Sequence, residues 1–181
     1  MKCLTDDECE EWCRSRGVNV DHRRARISQP ETMFYIRLTG CTVSDVYAAQ
    51  VILWSDRGTD QPAGEVLLWV REWGIFNDEE YQTIMAYMRR GMGETRPLYE
   101  APGYLLPLTS FDIIDALLTL IVLARWDAVL ISPASNYSFV VSHDAYIDVY
   151  CTGEDFTRKM AEILGRCHNV KITSTWIKEQ P

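Results

Sequence analysis

Ser142-His143-Asp144 is the one place in the chain where an imidazole stands among polar partners, with Asp148 shortly after it and Asp127 before it, just past a long apolar run. Histidine with a carboxylate moves protons near neutral pH, and the same pair offers nitrogen and oxygen to a metal ion. Two facts weigh against that chemistry. Neighbouring side chains on a strand point to opposite faces, so His143 and Asp144 converge only if a turn rotates one of them. A Ser-His-Asp triad is built from distant segments, and Ser142 has no nucleophile-elbow sequence around it. The competing role is local, since such residues close turns by side-chain to backbone hydrogen bonds. The catalytic candidates are therefore His143, Asp144, Asp148 and Asp127.

Other groupings carry less. Asp112 and Asp115 fall in the first turns of an expected helix, where the helix dipole favours acids. Arg23, Arg24 and Arg26, with Arg14 and Arg16 upstream, could clamp a phosphate or an acidic partner through bidentate contacts, and are the candidates for partner binding. The preceding helix carries Asp6, Asp7, Glu8, Glu10 and Glu11, however, which balance them. Cys3, Cys9 and Cys13 with His22 resemble a zinc set only superficially: there is no Cys-x2-Cys pair, and Cys9 and Cys13 simply share a helix face. Gly91-x-Gly93 lacks the Gly-Lys-Ser/Thr of a phosphate loop. No metal and no cofactor is expected.

A length of 181 residues fits one domain with one core, and 47% hydrophobic with 24% charged residues is an ordinary globular balance. Eighteen basic against 26 acidic residues give a formal charge of −8, which disfavours nucleic acid, whose backbone must be met by cations. The N-terminus runs directly into Asp-Asp-Glu with no apolar signal segment, and six cysteines then suit a reducing cytoplasm.

The elements follow from capping and periodicity. Phe111 to Trp126 reads as a central buried helix, with a Thr109–Asp112 capping box and a Leu108–Ile113 staple. It is too short and too often interrupted for a bilayer span. Thr5 with Glu8 caps a helix over 6–16 that Gly17 ends, and a polar loop runs on to Pro30. Strands are expected over 33–38, 65–73, 129–131, 137–141, 146–151 and 170–177, and further helices over 44–54, where Ser44 as cap favours helix although Gln50 to Trp54 alone could be a strand, after Asn77, and from Thr152 to Gly165. The β-α-β order in the first half suggests a partly parallel sheet. The expectation is a single α+β or α/β domain over 1–181, a mixed sheet of five or six strands with about five helices, one of them central and buried.

Leu67-Leu-Trp-Val70, Trp73-Gly74, Arg96-Pro-Leu98, Glu100-Ala-Pro-Gly103, Trp126-Asp127-Ala128, and Phe139 followed by Ser142-His143-Asp144 together resemble a set of uncharacterised bacterial proteins of similar size. The resemblance covers most of residues 65 to 147; it implies a bacterial source and brings no activity with it. The functional expectation is a cytoplasmic binding or interaction protein without catalysis, of immunity or regulatory type, with a protein partner and no nucleic acid or membrane. The alternative is a metal-dependent or His/Asp-based hydrolase at His143. A site that joins His143 to two carboxylates from other segments favours the enzyme; an exposed face of Trp, Tyr or Arg favours the partner.

Overall fold

Val66-Leu-Leu-Trp-Val70 has no polar residue, and a strand apolar on both sides belongs in the interior of a sheet covered on both faces. That is where it lies in the computed structural model, which describes residues 1–21, 24–27, 32–38, 64–74, 79–132, 137–165 and 171–176. The strands are β1 (Lys2–Leu4), β2 (Val18–Asp21), β3 (Arg24–Ile27), β4 (Thr32–Arg37), β5 (Glu65–Glu72), β6 (Gly103–Pro107), β7 (Asp127–Ser132), β8 (Tyr137–Ser142), β9 (Tyr146–Cys151) and β10 (Lys171–Trp176). The helices are α1 (Asp6–Ser15), α2 (Glu79–Gly91), α3 (Phe111–Ala124) and α4 (Glu154–Gly165), with a 3-10 turn at Leu98–Glu100. The fold class is α+β.

Eight strands form one sheet in the order β1-β6-β5-β7-β8-β9-β4-β10, and β2 with β3 makes a separate hairpin. Each paired neighbour is antiparallel. This corrects the expected mixed sheet of five or six strands. β4 and β5 follow one another in the chain but are not partners: β4 sits between β9 and β10 instead. β1 and β6 span only three and five residues, too short for an alternation signal. The hairpin occupies the polar stretch read as a loop. Four α-helices are described rather than about five, and the helix expected over 44–54 lies outside the described residues.

Alternation divides the sheet cleanly. Phe34, Ile36, Val66, Leu68, Val70, Leu130, Phe139, Val141, Ile147 and Val149 face α2, α3 and α4, meeting Met85, Leu117, Leu118, Ile121 and Met160. Leu67, Trp69, Val129, Ile131, Val140 and Tyr150 face the other way, under Cys9, Trp12 and Cys13 of α1 and Val18 of the hairpin. Each large side chain so buried contributes roughly 1.5–3 kcal/mol. Trp69 adds a polar tie across this second layer, its indole N–H donating to Asp6 Oδ1 at 2.7 Å.

The helix expected at the centre is α3. Ile114, Leu117, Leu118, Ile121, Val122 and Ala124 are buried, while Asp112 and Ala116 are exposed, so it lies against the sheet with a narrow outward edge. Its N-cap is Ser110, without a side-chain cap bond, not Thr109. Thr109 belongs to the turn leaving β6, and the carbonyl of Ser110 takes the N–H of Ile114 at 3.1 Å. The Thr5–Glu8 capping box of α1 is present, and Gly17 follows in the left-handed region at φ 69°. Among the described residues no helix is long and apolar enough to cross a membrane.

Candidate functional site

Three backbone irregularities meet at one end of the sheet. β5 and β7 run in register from Leu67↔Ile131 to Val70↔Ala128, then slip, so that Arg71 is an extra residue and Glu72 stands opposite Asp127. Such a bulge re-aims the side chains that follow it. α3 ends on Arg125 in the left-handed region at φ 53°, which turns the chain through Trp126 into Asp127. The β8–β9 connection is the three-residue turn His143-Asp144-Ala145, whose last residue is also left-handed at φ 62°. Arg125 and Ala145 are the only non-glycine residues with positive φ among those described, and each lies two positions from a member of the site. Alanine there costs roughly 1–2 kcal/mol. Its neighbours hold it: Ala145 N–H donates to Ser142 O at 3.1 Å and its carbonyl accepts from Leu38 N–H at 2.8 Å.

The side chains converge accordingly. Asp127 Oδ1 accepts the main-chain N–H of His143 at 2.6 Å and lies 2.8 Å from His143 Nδ1. The other ring nitrogen, Nε2, is 3.5 Å from Asp144 Oδ1. Glu72, Asp127 and His143 each present one ligand atom, all within 4.8 Å of one another. The His143 and Asp127 side chains are 20% and 18% exposed. Behind them Trp126 is fully buried and meets Trp73 edge-on at 4.9 Å. Gly74, at φ 85°, fits against that indole, where an added Cβ would lie 3.2 Å from Trp126 Cδ1.

One imidazole and two carboxylates suit a borderline divalent cation such as zinc, manganese or iron. The 2.8 Å Nδ1–Oδ1 contact is a hydrogen bond from the imidazole N–H to the Asp127 carboxylate, and a cation bound between them would take that proton's place. Asp144, 71% exposed with Oδ1 3.5 Å from Nε2, is near enough to bias the imidazole electrostatically.

Of the sequence candidates, His143, Asp127 and Asp144 lie together, the left-handed turn at Ala145 bringing His143 and Asp144 onto one side. Asp148 does not join them: it is buried on β9, opposite Val140 and Tyr35, on the face that β3 covers. Strand alternation puts it three residues past the turn and pointing into a layer. Ser142 has the local turn role, its hydroxyl accepting Asp144 N–H at 3.3 Å. Glu72 was missed, because a charged residue at a strand end is ordinary and the bulge that turns it belongs to a strand pair. Its one sequence mark is the abrupt change from Val66–Val70 to Arg71-Glu72.

Arg23 and His22 lie outside the described residues, and Arg24 and Arg26 sit on β3. Arg14 pairs with Glu11, and Arg16 Nη2 lies 3.1 Å from Glu65 Oε2. Cys3, Cys9 and Cys13 are buried; burial pushes the Cys9 thiol up and the Cys13 thiol up to about 12, the behaviour of packing thiols. The three gather no ligand group among the described residues.

Comparison with family models, with curated proteins and with solved structures returns no match. Neither a family nor an activity, nor the bacterial source implied by the resemblance, comes to the chain from a relative.

Proposed function

We propose that the protein is a metal-dependent hydrolase whose divalent cation is held by Glu72, Asp127 and His143. The observation that carries this is the gathering of one ligand atom from each, out of three different segments, within 4.8 Å. Glu72, Asp127 and His143 would hold the cation, which when bound would supply Lewis-acid activation of water and substrate. Asp127 fixes the imidazole through its contacts to His143 Nδ1 and to the His143 main-chain N–H. The free thiols Cys3, Cys9, Cys13 and Cys151 suit a reducing cytoplasm as its setting.

The test is calorimetric titration of metal-free protein with Zn2+ and with Mn2+, followed by assay on ester and phosphoester substrates. Wild type is expected to bind one equivalent. Glu72→Gln, Asp127→Asn and His143→Ala should each weaken binding at least about tenfold, by analogy with losses seen even for supporting residues, and remove activity. Equal binding by all three variants would refute the site.

A second reading keeps the non-catalytic interaction protein. Ile84, Tyr87 and Tyr99, at 46%, 66% and 71%, are the large hydrophobics left exposed among the described residues, and Arg90 lies over the Tyr87 ring at 5.9 Å. Exposed tyrosine with arginine is the composition of binding hot spots. Tyr87→Ala with Tyr99→Ala should abolish partner capture under this reading and leave cation binding untouched.

A further inference from the structure

Arg37 ends β4 exposed, and no carboxylate pairs with it among the described residues. Strand alternation says which way it faces. Phe34 and Ile36 are buried under the helices, so Tyr35 and Arg37 are turned to the opposite side of the sheet, that of Trp69, Val129 and Val140. Asp127 is on that side as well, one residue before the helix-facing Ala128. The register then sets out a row across this face: Glu72 opposite Asp127 on β5 and β7, Ser142 opposite Tyr146 on β8 and β9, and Tyr146 opposite Arg37 on β9 and β4. The candidate cation site thus continues sideways into Tyr146 and Arg37.

Two contacts fix that continuation. Leu38, the residue after Arg37, donates its N–H to the Ala145 carbonyl at 2.8 Å, which ties the end of β4 to the turn that carries His143. Tyr35 and Tyr146, both half-buried, stack with ring centroids 5.4 Å apart and planes at 27°. A cross-strand aromatic pair stabilises a sheet wherever it falls. Falling here, it also lays a part-apolar surface beside the His143 turn, with a guanidinium at its end. Neighbouring strands are roughly 4.8 Å apart, so the two steps from β8, which leads into His143, to Arg37 on β4 come to about 10 Å. An aryl ester with a charged group on its ring has about that reach.

We propose that the substrate is a planar-ring compound bearing an oxyanion, carboxylate or phosphate, remote from the bond cleaved; Arg37 takes the oxyanion through its planar fork of N–H donors, and the ring lies on Tyr146 and Tyr35. The proposal rests on the cation-site reading for the reaction, while its binding half is tested without a cation. Benzoate and phenyl phosphate, with neutral benzamide as control, are titrated calorimetrically into metal-free protein at constant ionic strength. One of the two anions should bind saturably and at least about tenfold more tightly than benzamide, a difference of about 1.4 kcal/mol. Which anion binds tighter separates a phosphate from a carboxylate substrate. Arg37→Met should lose the preference for an anion and still bind Zn2+ as wild type does, and Tyr146→Ala should weaken the anions and benzamide alike. In cation-loaded protein Arg37→Met should raise KM for an aryl ester with a carboxylate on its ring, leave kcat in place, and leave the uncharged ester unaffected. Anions bound no better than benzamide, or an Arg37→Met protein that keeps the preference, would overturn the proposal with the cation site intact. A wild type that binds no Zn2+ or Mn2+ would instead overturn the hydrolase reading, and the assignment of a substrate with it.

Discussion

Ala145 offers a direct test of how the His143 turn is held. Its left-handed backbone costs an alanine roughly 1–2 kcal/mol, and glycine adopts it freely but surrenders about 0.5–1 kcal/mol more entropy on folding. The balance for Ala145→Gly is therefore a gain of about 0.5–1 kcal/mol. In a chain of this length that is a rise of roughly 1–4 °C in melting temperature. Ala145→Val should move the other way by more than about 1 kcal/mol, because a β-branched residue is a true outlier at positive φ. Urea unfolding measures both, with the midpoint shifting and the slope unchanged. The turn's ties to Ser142 and Leu38 are main-chain bonds, so neither substitution removes them. A loss of stability in Ala145→Gly, or no loss in Ala145→Val, would refute the claim that the turn carries strain.

Two further outcomes follow from the packing and the charges, beside those already set for the cation and oxyanion sites. An added Cβ at Gly103 would collide with Cys9 Sγ, so Gly103→Ala should destabilise by about 1–3 kcal/mol or more; adding Cys9→Ala should recover part of that in a double-mutant cycle, and strict additivity would count against the contact. Arg96 holds the Glu94 carboxyl down from 4.5 to about 2. A folded-state value below the unfolded one means the stabilisation is present in full above pH about 4.5 and is lost as pH falls towards 2. Glu94→Gln should flatten that part of the stability–pH curve, and an unchanged acid limb would argue against the pairing.

Consecutive residues told more than distant ones, though not everywhere: the Thr109–Asp112 box expected at the start of α3 is absent, Ser110 capping the helix instead. The Thr5–Glu8 box, the Gly17 stop and the β7–β8–β9 meander are written in consecutive residues and are found in place. His143, Asp127 and Asp144 were identifiable by type and by the turn between them. Glu72 required knowing that β5 slips against β7, a fact shared by residues far apart in the chain. Asp148 looked equivalent to Asp144 by spacing, and only the layer above β9 tells them apart. The hairpin of β2 and β3 is held over β7, β8 and β9 by distant contacts, so its own polar residues gave no strand signal.

The placing of β4 has a consequence for how the chain is made. Both of its neighbours, β9 and β10, come late: its nearer partner begins about a hundred residues after it, which at roughly 5–20 residues per second is about 5–20 s of translation. For that interval both backbone edges of β4 lack the strands that pair with them in the finished sheet. The β4 end of the sheet thus closes late in elongation, and slower codons ahead of β9 would lengthen the time for which its edges stand open.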